Sequence, residues 1–330
     1  MITIAVAGTS KIARSFIAAA RKCYNCKIAA VYSRDMERAE AFAKEQNLER
    51  CFDDLEVLAK DPEIDAVYVA SPNAIHCSQV LQMVNHGKHV LCEKSLGSNS
   101  REVDLMFQNA HDNGVILLEA MRSIHDPGFE MLKKNLHKIG EISDVEVCFG
   151  RYSSRYDDLK AGSFPNIFNR EYAAGALMDM GVYAVEPIAE LFGMPEKIYA
   201  EAELIRGGAD GEGRIAATYA DKKVILCYSK INDLKRESVF GGSKGRLIVD
   251  DIANPEKIII EYADGNEEIV RDADRIDLEN MKYEIQYFVD AVHEKKDVRY
   301  YEEVSRITMK IMDEARKQCG IVFPADEVSE

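Results

Sequence analysis

The chain has 330 residues, 47% of them hydrophobic and 30% charged, and a formal net charge of −15. That length exceeds what one core usually serves, so two domains are expected. The acidic balance argues against a nucleic-acid partner, and the direct entry into "ITIAVAG", with no basic flank or long apolar run, supports neither secretion nor a membrane span.

The first 120 residues alternate regularly. "ITIAVA" is a continuous apolar strand, residues 11–22 a helix and "KIAAVY" a second strand. "DMERAEAFAKEQ" is an amphipathic helix with Asp35 as its expected N-cap. "IDAVYVA" (64–70), "KHVLC" (88–92) and "GVILLEA" (114–120) follow as strands, separated by helices at about 74–86 and 100–113. Apolar strands without alternation, joined by helices, predict a parallel sheet covered on both faces: an α/β, doubly wound Rossmann domain over residues 1–120.

After Arg122 the pattern changes. A helix over 127–138 leads to "ISDVEVCFGRY", an irregular stretch over 152–174 and a helix over 176–192. "IYAEAELIR", "GRIAATYA", "KVILCYSK", "ESVFGG", "GRLIVD", "KIIIEYADG" and "EEIVRD" then read as hairpin-linked strands. Helices at about 280–295 and 301–318 close the chain, the last of them a candidate to pack back on the first domain. Residues 121–330 are thus expected to be an α+β domain with a large, mainly antiparallel open sheet, serving substrate binding and oligomerisation.

Eight cysteines are scattered through the chain, several in apolar strands where a free thiol acts as a small hydrophobe. Only "CYNC" at 23–26 has metal or redox spacing, and no second CxxC completes it. No metal site is expected, and a reduced, cytoplasmic protein is.

"VAGTSKIARSF" joins the first strand to the first helix, where a dinucleotide pyrophosphate meets helix N-terminal amides. Gly8, Thr9, Ser10, Lys11 and Ile12 are the expected cofactor contacts of this turn. Gly8 makes the tight turn, Ala13 allows close packing, and Ser10 stands where glycine is usual, its hydroxyl offering a donor to phosphate. The second strand ends in "VYSRD", where NAD-preferring sites usually carry a carboxylate. Ser33 and Arg34 suit a 2′-phosphate instead, so NADP is the expected cofactor and NAD the alternative.

"SPNAIH", "GKHVLCEKSLG" and "GALMDMGVY" resemble the glucose–fructose oxidoreductase/inositol dehydrogenase family, called Gfo/Idh/MocA, and the resemblance covers nearly the whole chain. It implies that Ser71, Pro72, Asn73 and His76 wrap the cofactor. It also implies that Glu93 sits by the nicotinamide and that Lys94 contacts both cofactor and reacting substrate oxygen. The family usually continues with proline, where this chain has Ser95. Many members carry histidine where this chain has Tyr183; tyrosine is similar to the glucose–fructose oxidoreductase and dihydrodiol dehydrogenase branches. Asp179 and Tyr183 are four apart and share a helix face.

The chemistry implied is hydride exchange between nicotinamide and a secondary alcohol or its ketone, on a sugar, an inositol or a trans-dihydrodiol. Lys94 would stabilise the developing alkoxide, Tyr183 act as general acid/base and Asp179 orient a substrate hydroxyl. A phenol of ordinary pKa, about 10, is a poor base at neutral pH, so a neighbouring ammonium is expected to assist it. Arg122 and Asn166 are further substrate-binding candidates, while His125 and His137 read as structural. A homodimer or homotetramer is expected. Two rivals are a non-catalytic NAD(P)-binding regulator and an NAD-dependent glycosidase of the same family.

Overall fold

The computed structural model describes residues 1–274 and 280–327. Its first stretch runs β1 (Ile2–Ala7), α1 (Lys11–Ala20), β2 (Cys26–Tyr32), α2 (Met36–Gln46), β3 (Arg50–Phe52), α3 (Leu55–Lys60), β4 (Ala66–Val69), α4 (His76–Asn85), β5 (His89–Glu93), α5 (Ser100–Asp112) and β6 (Leu117–Ala120). The six strands pair in the order β3-β2-β1-β4-β5-β6, all parallel. This is the doubly wound order expected, with β3 and α3 as additions. Strand positions such as Val6, Val67 and Val90 are fully buried, because helices cover both faces. Side-chain caps start several of these helices: Asp35 Oδ1 accepts from Arg38 N at 3.0 Å, and Asn99 Oδ1 from Glu102 N at 3.0 Å. Each such cap is worth about 1 kcal/mol.

The chain continues through α6 (Pro127–Asn135), β7 (Ile142–Gly150), α7 (Arg155–Lys160) and α8 (Val182–Phe192). Seven strands follow: β8 (Lys197–Leu204), β9 (Asp210–Thr218), β10 (Lys223–Ser229), β11 (Ser238–Gly242), β12 (Gly245–Val249), β13 (Lys257–Tyr262) and β14 (Glu267–Asp272). They form an eight-stranded sheet with β7, ordered β14-β13-β12-β11-β7-β10-β9-β8. Only the β7–β10 pair is parallel; the other pairs are antiparallel. One face is apolar and buried, as Val145, Val147, Val224 and Leu226 show, while Glu146, Ile225 and Arg214 alternate onto the other.

The helix expected over 176–192 begins with one wide π turn, Leu177–Gly181, before α8 proper. Such turns recur at functional sites. Asp210, buried on β9, fastens this turn: its Oδ2 accepts from Leu177 N at 2.7 Å. Gly175 lies so close that a Cβ would fall 2.1 Å from Asp210 Oδ1, and its φ of +153° suits only glycine.

The last helices are α9 (Met281–Glu294) and α10 (Arg299–Cys319). The chain divides into one unit of Met1–Met121 with Leu278–Arg306 and a second of Arg122–Asp277 with Ile307–Glu330. A single cut at 120 therefore misses a return: Phe288, Ile285 and Val289 of α9 join Phe16, Ile17 and Tyr68 in one core. The rings of Phe16 and Tyr68 stack there at 3.6 Å. Full burial of each such aromatic contributes about 1.5–3 kcal/mol. Among the described residues no helix is long and apolar enough to cross a membrane.

Candidate active site

In a doubly wound sheet, ligands bind where the strand order reverses, here between β1 and β4. Gly8 stands at that point with φ +136°, and a Cβ on it would meet Ala70 O at 2.8 Å. Glycine is therefore required for the two strand ends to approach. Ser10 caps α1, its Oγ accepting from Ala13 N at 3.4 Å, which leaves its hydroxyl hydrogen to donate outward. Thr9 O is held by Arg14 Nη1 at 3.0 Å, while Lys11 is exposed and Ile12 half-buried. Ala13 is fully buried, the close packing that its size was expected to permit.

Past β2, Ser33 is buried, its Oγ accepting from Asp35 N at 3.4 Å, and Arg34 is exposed. Asp35 is committed to its cap on α2, so the first side chain beyond Ser33 presented to solvent is a guanidinium. After β4, the Ser71 Oγ is buried with no hydrogen-bond partner among the described residues. Leaving such a hydroxyl unmet costs about 1–3 kcal/mol, and a dinucleotide's polar atoms would satisfy it. This orphan hydroxyl, the Gly8 cradle and the exposed Arg34 together fit a bound NAD(P). Pro72 and Asn73 open the short turn Asn73–Ile75 beside it.

His76 is fully buried, with Nδ1 3.0 Å from Ser95 O and Nε2 2.8 Å from Ser71 O. Two carbonyl acceptors favour the doubly protonated ring, but burial, the larger effect, holds its pKa below the ordinary value. The neutral ring can donate to only one of them. Its role is to tie the Ser71 loop to the segment after β5.

That segment carries Lys94, half-buried one residue beyond the strand. The Lys94–Ser95 peptide is cis, a geometry that proline at this position adopts far more readily than serine. Glu93 is buried and accepts from the Tyr68 hydroxyl. Glu119, on β6, is also buried, and its Oε1 accepts from Leu96 N at 2.9 Å. Burial and the nearby Glu93 raise the Glu119 pKa to about 7, against the opposing pull of Ser305, Leu96 N–H and the Lys94 ammonium. The strand end thus gathers two buried carboxyl groups, Glu93 and Glu119, the second of which feels the Lys94 ammonium.

In the second unit, Tyr183 is buried on the first turn of α8, its ring 4.9 Å from that of Phe149. Its hydroxyl accepts from Arg122 Nε at 3.3 Å, and the guanidinium lies 5.0 Å from the ring centroid. Arg122, expected to reach a substrate, is instead buried, with Nη1 also donating to Ala253 O at 3.0 Å. Its guanidinium both donates to the phenol oxygen and covers the ring. With the guanidinium donating to Oη, the hydroxyl proton is directed elsewhere.

Asp179, expected to receive a substrate hydroxyl, forms an ion pair with the buried Lys230, yet its side chain stays 37% exposed. Asn166 is exposed on the turn Asn166–Phe168, whose buried Phe168 ring lies 5.6 Å from the Lys230 ammonium. Burial drives His125 down to about 3: its residue surface is partly open, but its Nε2 is covered. The CxxC thiols are driven up by burial, Cys23 to about 11 and Cys26 to about 12, which leaves them unreactive at neutral pH.

Residues 2–121 match the family described as "Oxidoreductase family, NAD-binding Rossmann fold" and residues 134–248 match the "GFO/IDH/MocA C-terminal domain". The chain belongs to the Gfo/Idh/MocA oxidoreductase family. Its NAD(P)-binding unit is the first one, and its chemistry is that of an NAD(P)-dependent oxidoreductase. The chain is 41% identical over 330 residues to the scyllo-inositol 2-dehydrogenase (NADP(+)) IolU of Bacillus subtilis, covering 99% of this chain and 100% of that one. It is 27% identical to a trans-1,2-dihydrobenzene-1,2-diol dehydrogenase of Xenopus tropicalis, over 97% of this chain and 98% of the relative. A 3-ketoreductase of Actinomadura kijaniata, solved with NADP and TDP-benzene, shares the fold: TM-score 0.86, 22% identity, 96% of this chain and 98% of that one.

Proposed function

We propose that this chain is an NADP-dependent dehydrogenase or reductase acting on a secondary alcohol, or its ketone, of a polyol such as an inositol. Full-length identity of 41% to an NADP-linked inositol dehydrogenase carries the reading. The exposed Arg34, where NAD-preferring sites hold an acid, supports the choice of cofactor. A sugar or a trans-dihydrodiol is the next substrate class, on the weaker likeness to the diol dehydrogenases.

When bound, the nicotinamide supplies or accepts the hydride. Lys94 holds positive charge against the oxygen that becomes an alkoxide. Tyr183 takes or returns that oxygen's proton, with Arg122 fixing the direction of its hydroxyl. Asp179, held by Lys230, keeps a carboxylate edge exposed to accept from a neighbouring substrate hydroxyl. Asn166 lies on the turn that packs beside this pair and contributes a further polar contact. For ketone reduction the same groups work in reverse.

Fluorescence titration with NADPH and NADH, followed by turnover across inositols, aldoses, ketoses and dihydrodiols, tests the reading. Tight NADPH binding with no turnover across the panel favours a regulator. Substrate hydrolysis without net NADPH formation favours a glycosidase. Arg34→Ala sharpens the cofactor question. Loss of a charged hydrogen bond costs about 1.5–3 kcal/mol, so NADPH affinity is expected to fall roughly 10- to 150-fold with NADH binding unchanged. Equal affinities before and after the substitution refute the NADP assignment.

A further inference from the structure

Away from these residues, the outward face of the eight-stranded sheet carries a pair of thiols that the chemistry above does not use. Cys148 on β7 and Cys227 on β10 are register partners on adjacent parallel strands. Neighbouring strands lie about 4.7–4.9 Å apart, inside the Cα separation of about 4.4–6.8 Å that disulfides span. The two sulfurs and a Glu146 carboxylate oxygen all lie within 4.8 Å of one another. Arg236 Nη1 donates to Glu146 Oε1 at 2.9 Å, which sets a guanidinium over the group. Cys227 is half-exposed, Cys148 is buried, and a cavity of about 500 Å³ opens beside Cys148, lined also by Arg151 and Arg236.

We propose that Cys148 and Cys227 form a redox-active dithiol, closed to a disulfide by a hydroperoxide. Cys227 is suited to attack first: it is the more exposed of the two thiols, and the neighbouring Cys148 thiol, with Arg214 and Arg236, favours its thiolate. The buried Cys148 Sγ donates to Glu146 Oε1 at 3.6 Å and stays protonated. A thiolate that is partly exposed and next to a second thiol is the arrangement of redox-sensing cysteines. The Cys227 thiolate attacks the peroxide's outer oxygen; the O–O bond breaks, an alkoxide leaves and takes up a proton, and Cys227 becomes a sulfenic acid. Cys148 then attacks that sulfur, the S–O bond breaks and water leaves. Two thiols lose two electrons, and the hydroperoxide is reduced to alcohol and water. A metal fits the cluster less well: it offers three ligands, and Arg236 and Arg214 bring positive charge to it.

The test uses the native full-length protein. It is exposed to hydrogen peroxide, its remaining thiols are blocked with N-ethylmaleimide in denaturant, and it is digested without reductant. A linked peptide joining Cys148 to Cys227 within one chain, lost on adding dithiothreitol, is the expected result. In Cys148→Ser the link is absent and dimedone traps a sulfenic acid on Cys227. Oxidised wild-type protein in which both cysteines still take maleimide overturns the proposal, as does a disulfide joining either of them to another cysteine or another chain.

Discussion

Lys94→Ala is expected to lower kcat by about 10²–10⁴-fold while leaving a folded, cofactor-binding protein. The lysine lies just outside β5, half-buried, so its side chain can be shortened without opening the strand core. What is lost on the proposed mechanism is the one ammonium set against the developing alkoxide, an interaction made mainly in the transition state. kcat and kcat/KM should therefore fall together. Tyr183→Phe is expected to fall in the same range by a different route. The ring keeps its contact with Phe149 and its place under the Arg122 guanidinium, while the hydroxyl is removed, and with it both the transferable proton and the acceptor for Arg122 Nε. Steady-state kinetics, with NADPH titration as a check on binding, measure both. Turnover within a few-fold of wild type in either variant would remove that residue from the chemistry.

Glu119→Gln is expected to abolish a pH dependence of stability amounting to roughly 3 kcal/mol. The Glu119 carboxyl is held at about 7 in the folded chain, chiefly by burial, against an ordinary value of 4.5. Between those two values the folded chain binds more proton than the unfolded one, so stability falls as pH rises. The contribution is fully present below about pH 4.5 and gone above about pH 7. Glutamine keeps an oxygen to accept from Leu96 N and removes the buried charge. The variant should come closest to wild type near pH 5, exceed it increasingly up to about pH 7, and hold that margin at pH 8. Urea midpoints at pH 5, 6, 7 and 8 measure this, and parallel slopes for the two proteins would show that Glu119 does not titrate there.

Much of the architecture could be read from local pattern. Unbroken apolar strands such as "AVYV" in β4 require cover on both faces, and alternation such as that in β10 requires one wet face, so two kinds of sheet followed. A return to the first unit was expected of the last helix, but α9 makes it and only the start of α10 lies in that unit; an amphipathic helix states that it must pack and not against which sheet. Gly8, Ser10, Ser33 and Arg34 could be placed at strand–helix junctions because a βα turn fixes their positions. The partners of Tyr183 and Asp179 could not. Arg122 meets Tyr183 across 61 positions and Lys230 meets Asp179 across 51, separations that no helical or strand period encodes. The contacts of His76 were not legible either: the resemblance placed it by the cofactor, and only the fold shows its ring set between the Ser71 and Ser95 carbonyls. Glu119 left a signal that went unused: an acid inside "LLEA", a strand buried on both faces, must have a donor waiting for it.

The crowding of Gly8 against Ala70, set beside the openness of Arg34, separates two properties that are easily confused. Any side chain at the first position would wedge two strand ends apart, so the capacity to hold a dinucleotide at all is written into the core. On the proposed reading, the preference between phosphorylated and unphosphorylated ribose would rest on a solvent-facing arm that no packing restrains. If Arg34 holds the 2′-phosphate as proposed, redox currency could drift, or be re-engineered, one surface residue at a time, with the scaffold indifferent to the outcome.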